Sequence, residues 1–130
     1  MNDQASILVI DDEPHVSDML QEYLAELGYA VDVAKTGEEA VRSVAAKRPD
    51  ALLLDMHLPD TTGEQLLGRL LAMDASLPIV MLSGDIDRDV ARRMLAAGAF
   101  QYLQKPFEFE ELEQTIARAL DASREECVVR

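Results

Sequence analysis

Tryptophan is absent, and cysteine occurs once, at Cys127. A lone thiol closes no internal disulfide, so the disulfide frameworks of small secreted domains are excluded and a cytoplasmic location is expected. No run of about 18 apolar residues occurs, which leaves no candidate helix for a bilayer. The opening MNDQAS has no basic segment followed by an apolar one, so a signal peptide is not expected. Histidine occurs only at His15 and His57, too few for an imidazole-built zinc site. Basic residues are scarce as well, 12 against 25 acids, and the net charge is -13. Nucleic-acid affinity comes largely from Lys and Arg neutralising phosphates, so direct nucleic-acid binding is not expected. Such charge suits metal ions or a basic partner surface. Solubility is the plainer account of most of the acids.

What is present is a regular alternation between two apolar periods. With 130 residues, 48% of them hydrophobic, the chain suits one compact domain. Ile7, Leu8, Val9 and Ile10 form a continuous apolar run, as in a strand covered on both faces. Pro14 fits a first helical turn, and Val16, Met19, Leu20, Tyr23, Leu24 and Leu27 follow at helical spacing up to Gly28. YAVDVA reads as a second strand, with Val31 and Val33 on one face. Thr36 and Glu39 stand at capping-box spacing ahead of Ala40, Val41, Val44 and Ala45. ALLLD is a third strand ending on Asp55, and Thr62 and Gln65 open a third helix with Leu66, Leu67, Leu70, Leu71 and Met73. LPIVMLS is a fourth strand; Asp85 or Asp87 caps the next helix, which carries Val90, Ala91, Met94 and Leu95 and stops at Gly98. AFQYLQ is a fifth strand, and a last helix from about Glu108 aligns Leu112, Ile116 and Leu120. Five strands alternating with five helices predict an α/β fold, a doubly wound parallel sheet with helices on both faces. The expected domain spans 1–122, with 123–130 a tail or the start of a linker.

Ligands in such folds bind beyond the carboxyl ends of the strands. There the first strand meets Asp11, Asp12 and Glu13 in succession. Like charges about 4 Å apart repel by roughly 4 kcal/mol at an effective dielectric near 20, so this strand end calls for a counter-ion. Asp55 ends the third strand, Ser83 the fourth, and Lys105 follows the fifth. Each has a plain account alone: an acid pair after a strand, a loop cap, a turn residue, a solvated lysine. Brought together, they make one shallow site of three carboxylates, a hydroxyl and an ammonium. Magnesium takes oxygen ligands and often uses one or two carboxylates with waters and phosphate oxygens. A carboxylate can also attack phosphorus.

The stretches VIDDEP, LLLDMHLPDTTG, PIVMLSG and AAGAFQYLQKPF make the chain resemble the receiver domain of two-component response regulators, over roughly Ser6 to Leu120. The resemblance implies a flavodoxin-like sheet in the order 2-1-3-4-5. It implies that Asp55 accepts a phosphoryl group from a histidine kinase or phosphotransfer protein, with Mg2+ as cofactor. Asp12 would bind the metal directly, Asp11 through water, and Asp55 and the backbone carbonyl of His57 would complete the protein's share. Ser83 would hydrogen-bond the phosphoryl group and Lys105 pair with it. Tyr102 matches an aromatic switch that turns inward with Ser83, and the Lys105–Pro106 peptide is expected to be cis. Phosphorylation would then change the surface around the fourth helix, fifth strand and fifth helix. The domain would be a signalling switch that assists its own phosphorylation and dephosphorylation, not an enzyme.

His57, Gly84 and Asp85 stand where they could tune the phosphate's lifetime, Gly84 by leaving the group open to water and donor. A helix-cap role for Asp85 is the alternative, and a Glu13–His57 ion pair is a further expectation. GAFQYLQKPF is similar to receivers of the nitrogen-regulator and nitrogen-fixation-regulator types, which implies a phosphorylation-dependent homodimer through the fourth helix and fifth strand. The alternative is that Phe100 packs against Val90, Met94 or another neighbour in the monomer. Two competing functions are weighed. A dehalogenase-like phosphatase or phosphotransferase also uses an Asp nucleophile and magnesium, but in a D-x-D pattern after the first strand, where this chain has DDE. A pseudo-receiver that only binds protein would lack the acceptor, a metal acid or the lysine, and all are retained. A flavin-binding domain is weaker still, without a hydroxyl- and glycine-rich loop after the first strand. The kinase, the output, and whether the chain is a stand-alone receiver or the amino-terminal part of a larger regulator are not legible.

Overall fold

A computed structural model describes residues 4–84 and 87–129, with side chains to residue 122. Its elements alternate strictly: β1 (Ser6–Ile10), α1 (Pro14–Glu26), β2 (Ala30–Ala34), α2 (Gly37–Ala46), β3 (Ala51–Asp55), α3 (Gly63–Met73), β4 (Ile79–Ser83), α4 (Arg88–Ala96), β5 (Gln101–Gln104) and α5 (Phe109–Val129). The strands form one parallel sheet in the order β2-β1-β3-β4-β5. The fold class is that expected from the apolar pattern, and the strand order is the one that the family resemblance implies.

The apolar runs are continuous because each central strand is covered twice. Leu8, Ile10, Leu52, Leu54, Ile79 and Met81 face Ala40 and Val44 of α2, Leu66, Leu67 and Leu70 of α3, and Met94 of α4. Ile7, Val9, Leu53, Val80, Leu82 and Leu103 face Leu20 and Leu24 of α1 and Leu112, Ile116, Ala119 and Leu120 of α5. Fully burying one such side chain contributes about 1.5–3 kcal/mol. Alternation within each strand thus divides one run between two cores.

Local signals set the helix ends. The Thr36 hydroxyl accepts from the Glu39 amide at 3.0 Å, and the Thr62 hydroxyl from the Gln65 amide at 3.1 Å. At Thr62 the Gln65 side chain reaches back to complete a capping box. The Glu39 carboxylate instead accepts from the Lys35 amide at 2.8 Å, one residue ahead of the cap. Asp87 caps α4, its carboxylate accepting from the Asp89 amide. Gly28 and Gly98 follow α1 and α4 with φ of 97° and 115°, the left-handed region that favours glycine after a helix. The fifth strand is shorter than AFQYLQ, starting at Gln101: the Ala99 amide still bonds back to Met94 of α4, and the Phe100 amide makes the first bond to β4, at Ile79. The last helix starts at Phe109 and its backbone continues to Val129.

Candidate metal and phosphoryl-acceptor site

Parallel pairing puts β1 beside β3, with Ile10 opposite Leu54, so the residues following both strands meet at one edge. Asp11, Asp12 and Asp55 each offer a carboxylate oxygen there, and these oxygens all lie within 4.8 Å of one another. Asp11 is fully buried, Asp12 is exposed, and the Asp55 side chain is 13% exposed. Three hard oxygen donors open to solvent on one side fit a hard divalent cation such as Mg2+.

The ammonium of Lys105 reaches in from the far side. Its Nζ lies 3.3 Å from Asp55 Oδ1 and 3.4 Å from Asp11 Oδ2, donating to both. The other Asp11 oxygen accepts from the Glu13 amide at 2.9 Å. Burial pushes the Asp55 carboxyl above its ordinary value; the Lys105 charge opposes this, and the Asp11 charge adds to it. The Asp55 carboxylate is therefore more basic than a solvated one. Lys105 follows β5, and its amide donates to the Ser83 carbonyl at 2.6 Å. That bond ties the lysine to the end of β4, where Ser83 is buried. The Lys105–Pro106 peptide is cis.

The other sequence-selected residues lie around this edge. Tyr102 pairs with Met81 in register, and its half-buried ring packs against the core shared with α2, α3 and α4. His57 is exposed and forms an isolated bridge with Thr62 across the β3–α3 loop. Among the described residues no ion pair joins Glu13 to His57, so that expectation fails: Glu13 sits at the start of α1, and His57 is held by the loop's own bridge. Gly84 is exposed, and a Cβ built on it would meet nothing within 4 Å. Asp85 lies outside the described residues. Phe100 packs against the core shared with α1 and α5, on the opposite sheet face from Val90 and Met94. An in-monomer neighbour does cover it, though not the two named.

Three features escaped the sequence. Gly63 lets α3 start against the end of β3; a Cβ there would come within 2.8 Å of the Asp55 carbonyl oxygen. Asp60 reaches across to α2, accepting from the Gly37 and Glu38 amides. A cleft of about 460 Å³, lined by Val16, Met19, Lys105, Pro106, Phe107 and Phe109, opens beside the lysine. Asp60 and Gly37 are 23 residues apart, so no local spacing signals their meeting.

Comparison with known proteins gives a consistent result. The sequence profile of the response regulator receiver domain matches residues 7–117. The transcriptional regulatory protein KdpE of Mycobacterium tuberculosis is 40% identical over 105 residues, 81% of this chain and 46% of that protein. The chain thus spans about half the length of the curated relatives it matches. A putative response regulator from Chloroflexus aurantiacus superposes with a TM-score of 0.85 at 36% identity, covering 91% of this chain and 98% of that one. NtrX from Brucella abortus superposes with a TM-score of 0.90 at 29% identity, over 97% of this chain and 29% of its own.

Proposed function

The chain belongs to the response regulator receiver domain family, and from that premise we propose that it is a Mg2+-dependent phospho-acceptor switch with Asp55 as the acceptor. The single observation that carries the reading is the pairing of a clustered acid triad with one buried-side lysine that already touches the acceptor carboxylate. The donor is a phosphohistidine on a histidine kinase or phosphotransfer protein. An Asp55 oxygen attacks phosphorus, the P–O bond forms as the P–N bond breaks, and the departing imidazole takes a proton. Phosphoryl transfer depends mostly on positioning and charge stabilisation.

Asp11, Asp12, Asp55 and the His57 carbonyl would hold the ion. Bound there, Mg2+ would offset the negative charge of the acids and of the incoming phosphoryl group. Lys105 lies within reach of the acceptor oxygen and would follow the charge as it moves onto the phosphoryl oxygens. Ser83, tied to Lys105 through the backbone, would donate to the same group. Tyr102 would carry the change to the surface of α4, β5 and α5, where a phosphorylation-dependent homodimer would form. His57, Gly84 and Asp85 would set how long the phosphate lasts. The apolar cleft beside Lys105 supports a macromolecular donor, because it places contact surface next to the reacting edge.

Beryllofluoride with Mg2+ mimics an aspartyl phosphate. The expected outcome is a Mg2+-dependent change in amide shifts or sedimentation in the wild type that is lost in Asp55→Asn. No response in the wild type would count against the switch; a response that persists in Asp55→Asn would move the acceptor elsewhere.

A further inference from the structure

The loop between β3 and α3 is fastened to a helix that it does not adjoin in sequence. Asp60 Oδ1 accepts from the Gly37 amide at 2.8 Å, and Oδ2 accepts from the Glu38 amide at 3.1 Å. Those amides open α2, where N–H groups lack intrahelical partners and the helix dipole favours an anion. The local cap, Thr36, takes the Glu39 amide, so Asp60 supplies acceptors that the cap does not. The approach is close: a Cβ on Gly37 would lie 2.5 Å from Thr61 Cγ2. The bonds from Gly37 and Glu38 hold the Asp60 carboxyl below its usual range, so the contact is intact near neutral pH.

Within the loop the backbone closes on itself. The Leu58 amide donates to the Thr61 carbonyl at 3.2 Å, His57 bridges Thr62, and the Gly63 amide donates to the Met56 carbonyl at 2.7 Å. Backbone hydrogen bonds therefore close residues 56–63 into one turn, with His57 near the acid triad and Asp60 resting on α2.

We propose that Asp60 is a positioning residue for the cation site, holding the His57 carbonyl in place against Asp11, Asp12 and Asp55 by anchoring the loop tip to the start of α2. The inference rests on the reading of that edge as a Mg2+ site. Removing a partner that orients a metal ligand directly costs about 10–100-fold in affinity. Asp60 acts through the backbone of a closed loop, so its loss should cost less, about three- to tenfold.

The test is Mg2+ titration of the full chain, followed by amide shifts, for the wild type, Asp60→Ala and Asp60→Asn, with a thermal melt of each. Asp60→Ala should bind Mg2+ about three- to tenfold more weakly and show faster hydrogen exchange at Gly37 and Glu38. Asp60→Asn loses the same charge but keeps one acceptor oxygen, for the Gly37 amide, while its NH2 group cannot accept from the Glu38 amide, so it should recover part of the affinity. Equal affinity in the wild type and Asp60→Ala overturns the inference alone. So does an equal loss in both variants, which would show a charge effect. No Mg2+ binding by the wild type overturns the magnesium reading and this inference with it. If Asp60→Ala does not fold, Gly37→Pro replaces it: Gly37 is the first helical residue after the Thr36 cap, where proline is tolerated, and proline removes the amide that donates to Asp60 Oδ1, so an unchanged affinity there counts as refutation.

Discussion

Lys105 lets two largely buried carboxylates share one strand edge. Its Nζ lies 3.3–3.4 Å from both Asp55 and Asp11. Lys105→Ala leaves Asp11 fully buried without that cation, and breaking such pairs costs up to about 3–5 kcal/mol when both charges are fully buried. Lys105 and Asp55 retain some exposure, so a loss of about 1–3 kcal/mol in a denaturant melt is expected. A ligand that binds only the folded chain at 100 times its Kd stabilises by about 2.7 kcal/mol. Millimolar Mg2+ should therefore raise the wild-type Tm, and Asp12→Asn should remove most of that rise. At the other end of the sheet, Asp74 accepts from Arg48 at 2.5 Å and from the Ser76 hydroxyl at 2.6 Å. The Ser76 hydrogen bonds lead in lowering its carboxyl from 3.8 to about 2, with Arg48 adding to them. A depressed carboxylate stabilises fully above its ordinary value and loses that contribution as pH falls through its folded value. The Tm gap between wild type and Asp74→Ala should hold at neutral pH and shrink between 3.8 and about 2.

Among the helices, α4 is the most lightly held. Met94 is its one buried residue, and Leu95 is 44% exposed. Arg93 forks onto Glu64 of α3 through Nε and an NH2 group at 3.1–3.3 Å. That pair is exposed, and such pairs contribute about 0–1 kcal/mol. By contrast α3 buries Leu66, Leu67 and Leu70. Elements with few buried apolar contacts open at low free energy. Amides of α4 should exchange faster than those of α3, and Met94→Ala should widen the difference, since Met→Ala in a core costs about 2–5 kcal/mol. A lightly held helix beside Tyr102 is also the kind of element that a local charge change can bias.

For the whole molecule, the candidate site at the sheet edge is a product of chain order. Right-handed crossovers and the β2-β1-β3-β4-β5 arrangement bring residues 11, 55, 83 and 105 to one end of the sheet. Parallel strands align their carboxyl ends, so each of these candidate residues ends or follows a strand and the helices return the chain. Among the described residues no helix is long and apolar enough to cross a membrane. The chain spans about half the length of the curated relatives it matches.

Read by itself, the sequence determined the elements and the two-sided burial. Ile7 to Ile10 and Ala51 to Leu54 are apolar throughout, and Thr36, Thr62 and Gly28 mark ends by chemistry that acts within a few residues. It also marked Asp11, Asp12, Asp55, Ser83 and Lys105, because each follows or ends a strand. Only the tertiary structure decided what those residues touch. It placed Lys105 on Asp11 and Asp55, put Phe100 on the sheet face away from Val90 and Met94, and carried Asp60 to α2. The reason is range: helical and strand periods and caps are local, whereas contacts between residues 23, 50 or 94 positions apart depend on which strands pair and how closely the helices pack.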